Sequence, residues 1–151
     1  MATRQNELHV LVIEDNPGDV RLIEEGLKTS DVACDVTSIR DGGAALDHAQ
    51  QITNGNHRRP DLTVLDIDMP GKDGRAILET LSEGLHGRSQ ILVLSGSNSE
   101  EHILETYALG ADGYFIKPGD AGSYLSILHD AVESVSRSGS LPLGEFSRYE
   151  V

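Results

Sequence analysis

Cysteine is almost absent from this chain: Cys34 stands alone among 151 residues. No internal disulfide can form, and its apolar neighbours mark a buried small side chain rather than a nucleophile. Tryptophan is missing and aromatic residues make up only 4%. The apolar residues fall in short runs, none near the roughly 20 residues that a membrane-spanning helix needs. Basic residues are also scarce. Twelve Lys and Arg face 25 Asp and Glu, a formal charge of −13, and the lysines among them are Lys28, Lys72 and Lys117. Nucleic acids and anionic membranes are bound mainly by Lys and Arg neutralising phosphate, so this balance argues against either as a direct partner. Met1 to Glu7 lack the charged and then apolar pattern of a secretory signal, so a cytoplasmic location is expected. The acidic, lysine-poor composition matches proteins of a high-salt cytoplasm and predicts that stability rises steeply as salt screens self-repulsion.

A length of 151 residues suits a single core. Leu8–Ile13 is a branched apolar run of strand length, broken by Glu14-Asp15-Asn16-Pro17-Gly18-Asp19. Asn16 is a good N-cap and Pro17 fits the first helical position, after which Val20, Ile23 and Leu27 recur on one helical face. The unit then repeats. Strands are predicted at Val32–Ile39, Leu62–Leu65, Ile91–Leu94 and Gly113–Ile116, and helices at Ala44–Ile52 and Arg75–Leu81, around Ile103 to Ala108, and from Leu125 to Val135. Met69-Pro70-Gly71 reads as a turn after the third strand, and Ser138 to Pro142 has turn composition. Five strands alternating with five helices imply an α/β fold with a doubly wound parallel sheet, because parallel neighbours need crossover connections. Polar functional groups in such sheets collect beyond the carboxyl ends of the strands.

The polar residues fall at those ends. Glu14 and Asp15 follow the first strand, Asp66 ends the third, Ser95 the fourth and Lys117 the fifth. In the order 2-1-3-4-5 these strands would be neighbours and all five residues would meet at one site. Taken singly, acids after a strand are usually solvated loop charges, Ser95 a turn residue and Lys117 a surface cation. Taken in register they are a site. Three carboxylates at one sheet edge repel each other, and a hard dication with oxygen ligands relieves that repulsion.

Four motifs in this order, Val-Ile-Glu-Asp-Asn, Leu-Asp-Ile-Asp-Met-Pro-Gly-Lys-Asp-Gly, Val-Leu-Ser-Gly and Gly-Ala-Asp-Gly-Tyr-Phe-Ile-Lys-Pro, resemble the receiver domains of two-component response regulators. The likeness spans about Leu8 to Val135, and Asn16-Pro17-Gly18-Asp19 resembles the single-domain regulators of phytochrome-associated or archaeal type. It implies a flavodoxin-like sheet and a stand-alone receiver at residues 8–136, between tails at 1–7 and 137–151. It further implies a phosphoryl group accepted on Asp66 from a sensor histidine kinase, with Mg²⁺ as cofactor. By the same resemblance Asp15 and Asp66 ligate the metal directly, Glu14 through a water, and Asp68 through its main-chain carbonyl. Lys117 and Mg²⁺ neutralise charge on the transferring group, and the Ser95 hydroxyl donates to a phosphoryl oxygen. A cis peptide before Pro118 aims Lys117 inward, and Tyr114 is the aromatic switch that moves when Ser95 closes onto phosphate. The surface of the fourth helix, fifth strand and fifth helix then responds, binding a downstream protein target or forming a homodimer. Such a protein is not an enzyme beyond its own phosphorylation and dephosphorylation.

Asp68 departs from the family in placing a negative side chain beside the acceptor, which puts the lifetime of the signal in question, and Gly96 and Gly119 remove side chains near the entrance. The histidines, His9, His48, His57, His86, His102 and His129, show no metal-ligand spacing and receive no role. Three rivals compete. A hydrolase of the haloacid-dehalogenase type also ends a strand in Asp-x-Asp, but it carries that motif early and needs a cap. A pseudo-receiver that only binds partners needs a broken site. A flavin protein needs a phosphate-cradling glycine loop after the first strand, and none follows here.

Overall fold

The computed structural model describes residues 7–69, 74–85 and 89–141. The elements are β1 (Leu8–Ile13), α1 (Pro17–Thr29), β2 (Cys34–Ile39), α2 (Gly42–Thr53), β3 (Leu62–Asp66), α3 (Gly74–Leu85), β4 (Gln90–Ser95), α4 (Glu100–Ala108), β5 (Gly113–Ile116) and α5 (Ala121–Ser138). The strands form one parallel sheet in the order β2-β1-β3-β4-β5. Fold class, strand number and strand order are those expected.

Alternation along the strands divides the core in two. Val10, Val12, Val64, Leu92 and Phe115 face α1 and α5, where they meet Ile23, Leu27, Leu128 and Val132. Leu11, Ile13, Leu65, Val93 and Tyr114 face the opposite layer, with Ala45, Ile77, Leu81 and Ile103 of α2, α3 and α4. The central strands are therefore apolar on both faces. Helix α1 starts as predicted, with Asn16 as N-cap accepting from the Asp19 N–H at 3.0 Å and Pro17 in the first turn. Gly26 lies where α1 crosses α5, and a Cβ there would meet Leu128 Cδ1 at 2.8 Å. At the end of α4, Gly110 takes φ of 118° and lies against the Ser82 side chain, a conformation and a space that glycine alone tolerates.

Several boundaries move. Helix α3 runs on past Leu81 to Leu85 because Ile77, Leu78, Leu81 and Leu85 form one continuous buried stripe. Strand β2 starts at Cys34 rather than Val32, since the Val32 N–H is taken by the Ser30 hydroxyl at 3.0 Å in a local turn. Helix α5 extends through Ser138 and stops at Gly139 with φ of 79°, whose N–H donates to the Val135 carbonyl. The chain then turns back so that Leu141 is only 4% exposed within the α1/α5 core, its N–H bonded to Gln90 Oε1 at 2.9 Å. The expected turn at Met69-Pro70-Gly71 lies, beyond Met69, outside the described residues.

Candidate functional site

The carboxyl ends of β1, β3, β4 and β5 bring the expected polar residues together. Glu14 directly follows β1 and is fully buried, and Asp66 closes β3 and is almost so. Glu14, Asp15 and Asp66 each offer an oxygen within 4.8 Å of the others, the one such group found among the described residues. Lys117 follows β5 and sends Nζ into this cluster, 3.1 Å from Glu14 Oε1, 3.1 Å from Asp66 Oδ2 and 3.0 Å from Asp19 Oδ2.

No cis peptide occurs among the described residues, so the expected cis bond before Pro118 is not found. Lys117 is aimed inward by electrostatics instead. Burial opposes its charge, but the bond to Asp19 and the charges of Asp66 and Glu14 outweigh it and hold the ammonium above its ordinary pKa. Glu14 shifts the other way from most paired acids. Its burial, and then its neighbour Asp66, push it up to about 8, against the pull of the Asn16 N–H and Lys117. Glu14, Asp19 and Asp66 thus crowd one ammonium, with Asp15 beside Glu14 and Asp66. Hard oxygen donors in such excess are the donor set of a Mg²⁺ or Mn²⁺ site, and the residues present fit one.

Ser95 is buried but does not touch the acidic cluster directly. Its hydroxyl donates to Asp68 Oδ2 at 2.9 Å, accepts from the Ser97 N–H at 3.1 Å and lies 3.4 Å from His102 Nε2. The Gly96 N–H also donates to Asp68 Oδ2, at 3.0 Å. Asp68 in turn is fixed by its own N–H, which donates to Asp66 Oδ1 at 2.9 Å. Tyr114 sits farther out, fully buried on the α4 side, with its hydroxyl donating to the Ser97 carbonyl at 2.7 Å and its ring edge-on to His102.

Three features of the site were not visible in the sequence. Asp19 reads as a first-turn acid of α1, yet the same turn that caps the helix points it at Lys117. His102 is the third residue of α4, and only the fold places it beside Ser95. Tyr124, on the first turn of α5, carries a buried hydroxyl with no hydrogen-bond partner among the described residues. Burial, followed by the charge of Asp19, pushes that hydroxyl above its ordinary pKa.

A parallel 2-1-3-4-5 sheet with this acid–lysine cluster is matched by the family model for the response regulator receiver domain over residues 10–129. The chain belongs to that family. It is 36% identical over 110 residues to response regulator Rcp1 of Synechocystis sp., covering 72% of this chain and 75% of Rcp1. It is 35% identical over 131 residues to the nitrate/nitrite response regulator protein NarL of Escherichia coli, covering 85% of this chain and 56% of NarL, so the receiver match spans little more than half of that longer protein. Among solved structures, the Mn²⁺-bound form of Rcp1 superposes with a TM-score of 0.76 at 30% identity, covering 89% of this chain and 99% of that one. The phosphorylated cyanobacterial phytochrome response regulator RcpA gives 0.75 at 32% identity, covering 89% and 96%. No helix of the described receiver is long and apolar enough to cross a membrane.

Proposed function

We propose that this receiver takes a phosphoryl group on Asp66 from the phosphohistidine of a sensor kinase, in a Mg²⁺-dependent reaction that controls a protein-binding surface. The observation that carries this reading is the Lys117 ammonium held within 3.1 Å of Asp66 and Glu14, beside three carboxylates whose oxygens converge within 4.8 Å. Asp15 and Asp66 would hold the metal directly, Glu14 through a water and Asp68 through its main-chain carbonyl. Bound there, the ion would supply positive charge to the equatorial phosphoryl oxygens.

This chain's own residues do the rest. Asp66 Oδ is the nucleophile: a new P–O bond forms as the P–N bond to histidine breaks, and the electron pair leaves with the imidazole. Lys117 moves its charge from the carboxylates to the phosphoryl oxygens, and Ser95 donates its hydroxyl proton in a hydrogen bond to one of them. No strong base is required. Ser95 and Tyr114 are joined through Ser97, so a shift of Ser95 is transmitted to the α4 side, where Tyr114 acts as the switch. The α4-β5-α5 face is the surface that meets a downstream protein or a second copy of the chain in this reading, and α4 carries Leu104 at 62% exposure. The cytoplasm, where sensor kinases present their phosphohistidine, is the expected location.

Incubation with Mg²⁺ and acetyl phosphate tests the reading. A mass increase of one phosphoryl group in the wild type, absent in Asp66→Asn and on chelation of Mg²⁺, is the expected result. No modification at any salt concentration would favour a pseudo-receiver that binds partners independently of phosphate.

A further inference from the structure

The Ser95 hydroxyl assigned above to the phosphoryl group is already occupied, and so is the neighbouring Gly96 N–H. Asp68 Oδ2 accepts both the Ser95 hydroxyl, at 2.9 Å, and the Gly96 N–H, at 3.0 Å. A serine hydroxyl has one proton to give, and the Ser95 oxygen is itself receiving the Ser97 N–H at 3.1 Å. Ser95 therefore cannot serve Asp68 and a phosphoryl oxygen together. A carboxylate oxygen and a phosphoryl oxygen make the same kind of charge-assisted bond to these donors, and the Asp68 N–H anchors the segment to Asp66 Oδ1 at 2.9 Å.

We propose that the Asp68 side chain is an internal stand-in for the phosphoryl group, holding Ser95 and Gly96 in the resting receiver and competing with phosphorylation until it is expelled. The inference rests on the reading of Asp66 as phosphoacceptor. Expulsion has a driving force and a destination. Phosphorylation turns the singly charged Asp66 carboxylate into an acyl phosphate with about two negative charges, which adds about one negative charge beside Asp68, and like charges at this range repel. Asp68 is solvent-exposed, so its freed carboxylate moves into water. Ser95 and Gly96 then exchange one anion for another without becoming unpaired, and the strand-to-helix segment Gly96–Ser97, whose carbonyl holds the Tyr114 hydroxyl, is released from its tie to the segment after Asp66. Asp68 is thus a positioning residue that sets the threshold for activation rather than a catalytic one.

The test is a titration of beryllofluoride in Mg²⁺, followed by fluorine NMR, on the wild type, Asp68→Asn, Asp68→Ala, Ser95→Ala and the double variant Asp68→Ala/Ser95→Ala. Loss of the competing charge-assisted bonds predicts that Asp68→Ala binds beryllofluoride about tenfold more tightly than the wild type, with Asp68→Asn in between because its amide oxygen still accepts. The gain must shrink by more than half on a logarithmic scale in the Ser95→Ala background. An equal gain in both backgrounds would mean that Asp68 acts only through long-range charge and overturns the proposal, as does a wild-type affinity unchanged by Asp68→Ala. In the latter case the phosphoacceptor reading survives, because the wild type still binds. Absence of binding by the wild type and every variant overturns both. Melting curves without ligand check that each variant is folded, which the exposure of Asp68 leads one to expect of the variants at that position.

Discussion

Lys117 is the residue on which the resting site depends. Its ammonium is the cation that compensates buried Glu14 and Asp66, and stripping one partner from a buried ion pair leaves charge in a poor solvent for it. Lys117→Ala is therefore expected to lower metal-free stability by about 2 kcal/mol, less than for a sealed pair because the ammonium is partly solvated and Glu14 can take up a proton. Millimolar Mg²⁺ should close most of that gap, and chemical denaturation with and without the ion measures both. Tyr124 presents the converse case. Its buried hydroxyl has no partner among the described residues, and an unpaired buried polar group costs roughly 1–3 kcal/mol. Tyr124→Phe should match or exceed the wild type in melting temperature, whereas a loss of several degrees would mean that the hydroxyl is satisfied. The identities of Glu14, Asp15, Asp66, Ser95 and Lys117 could be read from the sequence because each sits at a strand end, and strand ends in a doubly wound sheet converge. Asp19 and His102 could not, since they reach the site from first turns of helices whose rotation relative to the sheet is set by packing. The Asp68 side chain was visible as an oddity, but its bonding to Ser95 depends on how β3 and β4 end side by side.

At the level of elements, helix termini and helix crossings account for the local stability. Asp120 caps α5 by accepting the Ser123 N–H at 3.0 Å and the Ser123 hydroxyl at 2.8 Å. The Ser123 hydroxyl, followed by its N–H, holds the Asp120 carboxyl below its ordinary value of 3.8. A carboxyl with a depressed folded-state pKa contributes stability above its unfolded pKa and loses it as pH falls through the folded one. Asp120→Ala should accordingly melt below the wild type at neutral pH, and the gap should narrow as pH drops below 3.8. A gap independent of pH would exclude the charge as the stabilising feature. The α1–α5 crossing behaves differently. Alanine at position 26 gains helix propensity of up to about 1 kcal/mol, but its methyl would press on Leu128 Cδ1 at 2.8 Å and Cβ at 3.1 Å, and overpacking a buried contact costs about 1–3 kcal/mol. The clash wins, so Gly26→Ala is expected to destabilise by about 1 kcal/mol, read from urea midpoints. Hydrophobic periodicity made every element legible in kind and order. It left the ends open, as at Leu85 and Ser138, because a helix stops where its buried stripe and its cap stop, and both are tertiary facts.

Over the whole molecule, two populations of negative charge respond to different ions. The surface excess behind the formal charge of −13 is dispersed and exposed, and it is screened by any salt once the Debye length falls from about 10 Å at 0.1 M toward about 3 Å at 1 M. The cluster of Glu14, Asp15 and Asp66 is compact and largely buried, so dispersed monovalent ions reach it poorly while a dication satisfies it at millimolar concentration. Melting temperature should thus rise along two separable curves, one saturating with Mg²⁺ and one climbing steadily to molar KCl. Substituting Asp15 and Asp66 together by Asn should abolish the first and leave the slope of the second intact. If the KCl slope vanished with the same two substitutions, the salt response would belong to the site, and the acidic surface would carry no stability cost that screening could relieve. If both curves persisted, Mg²⁺ would be acting as generic ionic strength, and the reading of the three converging carboxylates as a metal centre would fail while the fold they sit on remained unaffected.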